Sequence, residues 1–296
     1  MLYQRPLGYL LGLEGVALLR AFTEDHDAEF ASDRIAEIRR LLDDPALDTE
    51  PVSGVRTDTV RGYEVWSATY DEPGNGLFPM EEAILREIVD PLPAGVAVDA
   101  ACGTGRHSER LTALGHRVIG VDSSPDMLAR ARTRVPAAEF THGDLHALPL
   151  DDDSADLVLC TLALTHVADL KPVFGEFARV LRPGGRLIVS DVHQELVALG
   201  SVPRVVLANG ERGFLPAYRH RAADYLDAAL PLGLTVRRCI EPKMTIGEAP
   251  TGLRDDLDPG PWEGWPWSLH PIAPAAQRAA FHGTPALILW EFEAPS

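Results

Sequence analysis

A glycine-rich segment is the clearest candidate for a ligand-binding site. Residues 98–107 read Val-Asp-Ala-Ala-Cys-Gly-Thr-Gly-Arg-His and lie between a short apolar run and a helical pattern. Glycine is needed where a ligand approaches the backbone so closely that a Cβ atom would block it. The free N–H groups at the start of the helix then face that ligand. Asp99 in this turn would repel a pyrophosphate but suits a cation such as an amino-acid ammonium group.

This segment lacks one glycine of the dinucleotide-binding fingerprint. A Gly-x-Gly-x-x-Gly pattern that begins at Gly103 requires glycine at position 108, where the chain has Ser108. The third glycine lets helix and strand pack closely over a pyrophosphate. A nicotinamide-dependent oxidoreductase is therefore disfavoured, although binding of NAD in a titration would revive that alternative.

Two further carboxylates follow the next two predicted strands. Asp122 ends an apolar run 17 residues after Gly105, where it can accept hydrogen bonds from both hydroxyls of a ribose. The alternative for Asp122 is an acid at the N-terminus of a helix. Asp144 follows Gly143 and precedes Leu145, so that a carboxylate can accept from an adenine amino group while Leu145 covers the ring. Taken alone, Gly-Asp is an ordinary turn.

In this order and spacing, the motifs resemble those of class I S-adenosylmethionine-dependent methyltransferases. Residues 99–105 resemble the family's first motif, Val121-Asp122 its ribose-binding acid, and residues 143–145 its adenine contact. The runs at 156–167 and 181–187 resemble the fourth strand with its exit and the turn before the fifth strand.

The resemblance implies the cofactor, the reaction and a set of contacts. It implies S-adenosylmethionine as the only cofactor, S-adenosylhomocysteine as the product, and a small-molecule acceptor with an oxygen or nitrogen nucleophile. The backbone near Ala101 and Gly103 would meet the methionine moiety. The complete set of implied cofactor contacts is Tyr70, Asp99, Ala101, Gly103, Thr104, Gly105, Asp122, Ser123, Met127, Asp144, Leu145, Cys160 and Thr161.

Histidines are the candidates for a general base. A base is needed only if the nucleophile is protonated at neutral pH. His166 and His193 follow the fourth and fifth predicted strands, at the sheet edge where ligands bind in such folds. The alternative for each is a hydrogen-bonded histidine that shapes the pocket wall.

A tryptophan-rich segment is the candidate for substrate binding. Trp262, Trp265 and Trp267 stand between prolines at spacings of 3 and 2, which fit neither a helix nor a strand, and His270 follows them. Aromatic walls suit a flat or apolar acceptor. The alternative is that these tryptophans anchor a long loop to the core.

The elements that must position these residues alternate in type. Short apolar runs and helical patterns alternate from Val96 to Asp191, which indicates right-handed βαβ units and a parallel sheet covered by helices on both faces. The resemblance implies an α/β, Rossmann-like, seven-stranded, mostly parallel sheet with an antiparallel last strand. We predict a helical cap over 1–64 and a methyltransferase domain over 65–296, with substrate-pocket insertions at about 194–220 and 241–282, the second of which is expected to be irregular.

Two amphipathic helices are predicted for the N-terminal region. The expected buried faces are Leu10, Leu11, Val16, Leu18, Leu19 and Phe22 in the first helix, and Ala31, Ile35, Ile38 and Leu42 in the second. The first helix either caps its own domain or pairs with a second subunit in a homodimer. Glu14 and Arg20 interrupt the apolar pattern, which argues against a signal peptide, and no run approaches the length of a membrane span.

Composition restricts the partners. Lys and Arg number 27 against 44 Asp and Glu, a formal charge of −17, and lysine occurs only at Lys171 and Lys243. A nucleic acid or an anionic membrane surface would be repelled. Three well-separated cysteines, Cys102, Cys160 and Cys239, have no metal-ligand spacing, so we expect no metal and buried thiols in a reducing cytoplasm.

One alternative from another functional class stays open. The fold could bind S-adenosylmethionine without methylating, as a sensor or as a scaffold for another reaction. That alternative predicts cofactor binding with no S-adenosylhomocysteine formed over any panel of acceptors.

Overall fold

A computed structural model describes residues 2–23, 26–72, 74–248 and 257–296. Its strands are β1 (Leu2–Gln4), β2 (Val52–Arg56), β3 (Val96–Ala100), β4 (Arg117–Asp122), β5 (Glu139–His142), β6 (Ala155–Thr161), β7 (Leu181–Val192), β8 (Arg204–Val206), β9 (Arg212–Phe214), β10 (Thr235–Ile240) and β11 (Leu287–Glu293). Its α-helices are α1 (Pro6–Thr23), α2 (Ala28–Asp43), α3 (Thr59–Trp66), α4 (Leu77–Val89), α5 (Arg106–Ala113), α6 (Pro125–Arg134), α7 (Leu170–Val180), α8 (Gln194–Ala198), α9 (Ala222–Ala229) and α10 (Pro274–Phe281).

The described residues form two compact units. The seven-stranded unit comprises Thr57–Gln194, Leu215–Pro242 and Ala286–Ser296. The four-stranded unit comprises the described residues of 2–56, 195–214 and 243–285. The predicted cap and both predicted insertions therefore contribute most of the four-stranded unit. The predicted domain boundary at residue 64 stays a prediction.

The larger sheet has the strand order β10-β11-β7-β6-β3-β4-β5. Five neighbouring strands, from β7 to β5 in this order, are parallel, whereas β11 is antiparallel to both β7 and β10. This arrangement confirms the predicted seven-stranded, mostly parallel sheet with an antiparallel last strand.

Strand register brings the predicted binding motifs to one edge. Ala100, the last residue of β3, pairs with Val121 on one side and with Cys160 on the other. The chain continues from β3 to β4 and β5 on one side, then crosses to β6 on the other side of β3. Such a switch point opens a crevice at the carboxyl ends of the strands, which is where ligands bind in open α/β sheets.

The core of the seven-stranded unit contains a cluster of aromatic side chains. Helix α7 buries residues at a spacing of three and four, including Phe174 and Phe177, and Asp169 caps its N-terminus by accepting from the N–H of Lys171. The ring of Phe174 lies 6.4 Å from that of Tyr225 in α9 and 5.9 Å from that of Phe292 in β11. All of these aromatic residues are buried, so the cluster joins both helices to the sheet.

In the four-stranded unit, the predicted buried face of the first helix is wrong except at Leu10. Helix α1 packs against α2 and α10 and buries Leu10, Leu13, Glu14 and Ala17. Leu19 and Phe22 are 71% and 91% exposed. Pairing of α1 with a second subunit, the alternative to capping its own domain, stays a prediction. No helix among the described residues is long and apolar enough to cross a membrane.

The predicted face of the second helix is wrong for a related reason. Helix α2 buries Arg34, Glu37 and Leu41, and leaves Ile35 and Leu42 exposed. The Arg34 guanidinium donates to buried Glu14 over 3.1 Å. A buried ion pair thus lies where α1 packs against α2. Hydrophobic periodicity alone therefore predicts the wrong buried face for α2.

Two further expectations are corrected. The thiol of Cys102 and that of Cys160 are buried, but Cys239 is exposed, because it lies on the edge strand β10. Within the region that was expected to be irregular before the last strand, Pro274–Phe281 forms helix α10, with proline at its first turn.

The aromatic cluster yields a stability prediction. We expect Phe174→Ala to lower the free energy of unfolding by about 3–5 kcal/mol, because it leaves a cavity among buried rings. Phe22→Ala removes the same ring from an exposed position and should change stability by less than about 0.5 kcal/mol. Urea unfolding followed by circular dichroism measures both, and equal midpoints for the two variants would contradict the cluster's role.

Candidate active site

A cavity of about 170 Å³, open to solvent, lies at the carboxyl edge of the parallel strands in the seven-stranded unit. The predicted cofactor contacts that line it are Tyr70, Ala101, Gly103, Asp122, Ser123, Met127, Asp144, Leu145 and Thr161. Of the predicted bases, His166 lines it.

The floor of the cavity is the glycine-rich turn after β3. Ala101 (φ 60°), Gly103 (φ 52°) and Gly105 (φ 80°) all have left-handed backbone conformations. A Cβ atom built on Gly103 would meet no heavy atom within 4 Å, whereas one on Gly105 would lie 3.1 Å from the Cβ of Ala131. Gly103 thus leaves open space for a ligand, and Gly105 allows α6 to pack closely.

Asp122 ties this turn to the end of β4. Its Oδ2 accepts from the N–H of Gly103 and its Oδ1 from the N–H of Ser124, each over 2.8 Å. Burial raises the pKa of Asp122, against the effect of these two backbone donors. Each carboxylate oxygen has two lone pairs, so both oxygens retain an acceptor site for a ligand that enters the cavity.

Asp99 lies behind the turn and is 1% exposed. Its Oδ2 accepts from the hydroxyl of Ser108 over 2.6 Å, but its Oδ1 is buried and has no hydrogen-bond partner in the described part of the chain. Burial raises the pKa of this carboxyl group. A buried acceptor without a partner is costly unless a ligand or water satisfies it.

The opposite wall carries the predicted adenine contacts. Asp144 accepts from the backbone and ring N–H groups of His146 over 2.8 and 2.6 Å. Burial opposes ionisation of Asp144, but these bonds lower its pKa. Ser124 caps α6 by accepting from the N–H of Met127, which brings that thioether to the cavity.

Helix α3 and the residues after it cover part of the cavity, and of these lining residues only Tyr70 was predicted to belong to the site. Thr59, Val60 and Tyr63 line the cavity together with Tyr70. Asp58 caps the helix by accepting from the N–H of Arg61. The helical spacing of Tyr63, Trp66 and Tyr70 was the available signal, but residues 1–64 were assigned to a cap outside the methyltransferase domain.

An ion-paired cluster fastens this segment to the glycine-rich turn. Asp71 accepts from the hydroxyl of Thr104 over 2.9 Å and from the guanidinium of Arg134 over 2.8 Å. Arg134 also donates to the Thr104 hydroxyl over 2.9 Å. We call these three residues the Asp71 latch. The latch uses the side chain of Thr104, which the sequence analysis assigned to the cofactor.

His166 has a defined hydrogen-bonding pattern. Its Nδ1 lies 2.6 Å from the carbonyl oxygen of Pro216, and its Nε2 lies 2.9 Å from the hydroxyl of Tyr63. Burial lowers the pKa of His166, so the imidazole is neutral at neutral pH. Because a carbonyl only accepts, Nδ1 must carry the proton and Nε2 must accept from Tyr63.

The other predicted site residues of the seven-stranded unit do not line the cavity. His193 is buried, with Nε2 3.4 Å from Glu241. Cys160 is buried in β6, and burial raises the pKa of its thiol well above the usual value. Asp99, Thr104 and Gly105 support the glycine-rich turn. Direct contacts of these residues with a ligand stay predictions.

The predicted substrate residues belong to the four-stranded unit. Trp262 and Trp265 are buried, and their indole N–H groups donate to Gln4 and to the carbonyl of Pro259, each over 3.0 Å. Trp267 is 46% exposed. The Nε2 of His270 lies 2.9 Å from the Tyr9 hydroxyl, and burial lowers the His270 pKa to about 4. Their contact with an acceptor stays a prediction.

Comparison with known proteins decides the family. A model described as a methyltransferase domain matches residues 98–189. The chain is 33% identical to a malonyl-[acyl-carrier protein] O-methyltransferase of Serratia marcescens, over 57% of this chain and 72% of that protein. The chain belongs to the S-adenosylmethionine-dependent methyltransferases. The predicted family and its cofactor are thereby confirmed.

Other relatives of this methyltransferase match over shorter stretches. A demethylmenaquinone methyltransferase of Clavibacter sepedonicus is 38% identical, over 44% of this chain and 56% of its own. For several curated relatives the chain spans only between 34% and 61% of their length. An S-adenosylmethionine-dependent methyltransferase from Mesorhizobium loti shares the fold, with a TM-score of 0.50, 24% identity, and coverage of 72% of this chain and 97% of that one.

The glycine-rich turn yields a paired prediction. Gly103 and Gly184 both have a left-handed φ and open space at the Cβ position, but only Gly103 lines the cavity. We expect both Gly103→Ala and Gly184→Ala to cost about 1 kcal/mol of stability through backbone strain. Only Gly103→Ala should weaken S-adenosylmethionine binding, by about tenfold or more, because its methyl group enters the ligand space. Calorimetry with matched thermal denaturation tests this, and equal affinities in both variants would refute it.

The Asp71 latch yields a second prediction. Asp71→Ala should raise the dissociation constant for S-adenosylmethionine about fivefold, since a partly exposed ion pair contributes up to about 1 kcal/mol. Asp152→Ala breaks an ion pair of similar length with Arg179, in which the carboxylate is more exposed and lies outside the cavity lining, and serves as the control. A cofactor affinity unaffected by Asp71→Ala would show that the latch does not position the cavity wall.

Proposed function

We propose that this methyltransferase transfers the methyl group of S-adenosylmethionine to a small molecule through an oxygen or nitrogen nucleophile. One observation carries the proposal. A single cavity brings together the bare Cα of Gly103, the carboxylate of Asp122, and the pair Asp144 and Leu145. These are the groups that the amino-acid, ribose and adenine parts of the cofactor require.

The residues fit this cofactor at several points. Asp122 retains acceptor sites for the ribose hydroxyls, and Gly103 leaves the space that a backbone-bound methionine moiety needs. The buried, unpartnered Oδ1 of Asp99 offers an acceptor near the same turn for an ammonium group, directly or through water. Met127 and Leu145 supply apolar surface for the adenine ring.

The charge of the cavity supports a cationic cofactor and an uncharged acceptor. Asp122 and Asp144 line it, and no lysine or arginine is among the described lining residues. A sulfonium and an ammonium group are attracted by such a lining. An acceptor bound through a carboxylate or phosphate group would lack a cationic partner there.

The chain's own residues position and shield the reactants. When bound, S-adenosylmethionine supplies the activated methyl group, and its sulfur keeps the electron pair of the carbon–sulfur bond. The described residues of α3 and its extension, with Tyr63 and Tyr70, cover part of the cavity and provide a surface that can hold a nucleophile in one orientation. His166 is neutral and in the protonation state that a base requires.

Calorimetric titration with S-adenosylmethionine tests the cofactor site. We expect Asp122→Ala to weaken binding at least about tenfold, or 1.4 kcal/mol, because it removes a charged acceptor and frees two backbone N–H groups. Asp126→Ala is the control, since that exposed carboxylate in the first turn of α6 does not line this cavity.

Formation of S-adenosylhomocysteine over a panel of hydroxyl and amine acceptors tests the reaction. Tight cofactor binding without product on any acceptor would favour the sensor or scaffold alternative. Failure of the parent protein to bind either S-adenosylmethionine or S-adenosylhomocysteine would overturn the proposal.

A further inference from the structure

Tyr63 and His166 form a hydrogen-bonded pair inside the cavity. Their rings are nearly perpendicular, with centroids 5.6 Å apart, and the Tyr63 hydroxyl lies 2.9 Å from His166 Nε2. Both side chains line the cavity. The ring of Tyr63 also packs edge-on against Trp66 and Tyr70, with centroid distances of 5.4 and 5.8 Å. The Tyr63 hydroxyl is therefore held in place by the contacts of its ring.

The direction of this hydrogen bond follows from the other ring nitrogen. Pro216 offers only a carbonyl oxygen to Nδ1, so His166 carries its proton there and presents a bare Nε2. Burial raises the pKa of Tyr63 well above its usual value, so its hydroxyl is protonated and donates to Nε2. The lone pairs of the Tyr63 oxygen are then the groups left to accept a hydrogen bond from a molecule in the cavity.

We propose that Tyr63 accepts the proton of the acceptor's hydroxyl group while passing its own proton to His166, and that the acceptor is a neutral phenol. This proposal rests on the proposed function. It assigns Tyr63 as a catalytic residue, and it assigns His166 a role through Tyr63 rather than direct contact with the acceptor.

The proton transfer balances. The acceptor oxygen keeps the electron pair of its broken O–H bond and uses it to bond the methyl carbon. Tyr63 gains one proton and loses one, so it stays neutral, and His166 becomes an imidazolium. The positive charge of the cofactor thus ends on His166, whose Nδ1–H still donates to the carbonyl of Pro216. Because burial lowers the pKa of His166, it returns that proton to solvent through the open cavity.

The lining favours a phenol over other nucleophiles. Apolar side chains from Val60, Leu162 and Val167 line the same cavity as the two tyrosines, which suits an aromatic ring. A phenol is protonated at neutral pH and needs a base. A thiophenol of the same shape is largely ionised and does not need one, so it provides a matched comparison.

The first experiment requires no acceptor. Nitrogen-15 NMR of histidine-labelled protein, with the His166 signals assigned by their loss in His166→Gln, reports the protonation of each ring nitrogen. We expect a neutral ring with the proton on Nδ1. A charged ring, or a proton on Nε2, would overturn the proposal even if the cofactor binds and methyl transfer occurs.

The second experiment compares Tyr63→Phe with the parent on phenol, naphthol and their thiol counterparts, thiophenol and thionaphthol. We expect kcat for the phenols to fall on the order of a hundredfold, with thiol turnover and calorimetric affinity for S-adenosylmethionine unchanged. Tyr218→Phe removes a hydroxyl from an exposed side chain outside the cavity lining and should behave as the parent.

Three results would overturn the inference in different ways. An equal fall in kcat for phenols and thiols in Tyr63→Phe would show that Tyr63 only packs in the cavity wall. No turnover of any phenol by a parent that binds S-adenosylmethionine would exclude the acceptor class. Loss of cofactor affinity in Tyr63→Phe would reassign the hydroxyl to cofactor binding. Absence of cofactor binding by the parent is instead a failure of the proposed function.

Discussion

Two backbone N–H groups converge on the carboxylate of Asp122, and the shape of the cavity depends on them. One belongs to Gly103 in the turn after β3, and the other to Ser124 at the start of α6. The same side chain therefore holds two loops that leave neighbouring parallel strands. Both loops need non-repetitive backbone conformations, and a charged acceptor stabilises such donors more strongly than a neutral one. Asp122 thus stabilises both loops before any ligand is bound. Its carboxylate also lines the cavity and retains lone pairs that a ligand can use.

The strand order explains why a local motif becomes a site. Strand β3 lies between β4 and β6, and Ala100 at its end pairs with Val121 on one side and Cys160 on the other. The carboxyl ends of these three strands therefore lie side by side at one edge of the sheet. The chain must leave this edge by sharp turns, and Leu162 after β6 has a left-handed φ of 52° while its N–H donates to the carbonyl of Ser190. Such strained conformations in residues other than glycine concentrate at functional sites. The parallel pairing of the strands thereby brings together motifs that are far apart in the sequence.

Sequence patterns predicted the sheet and half of the residues that line the cavity, because both arise from local signals. An apolar run followed by an acid or glycine marks a strand end, and parallel strand ends meet at one edge. The contribution of Tyr63 was not predictable in this way, since α3 is short, polar and interrupted by Gly62. The N-terminal helix faces were wrong because the pair of Glu14 and Arg34 is buried, which inverts the usual relation between polarity and exposure.

The positions of Tyr63 and His166 both depend on the segment where the chain re-enters the seven-stranded unit. A Cβ atom on Gly62 would lie 2.6–2.8 Å from side-chain atoms of Leu215, so only glycine lets α3 sit this close. The next residue, Pro216, fixes the tautomer of His166 through its carbonyl, and the N–H of Tyr218 donates to the carbonyl of Thr165 over 2.7 Å. One short segment therefore aligns the tyrosine donor with the histidine acceptor. No local sequence pattern encodes the contact between Tyr63 and His166. A hydrogen-bonded pair that can transfer protons therefore arises from long-range packing alone.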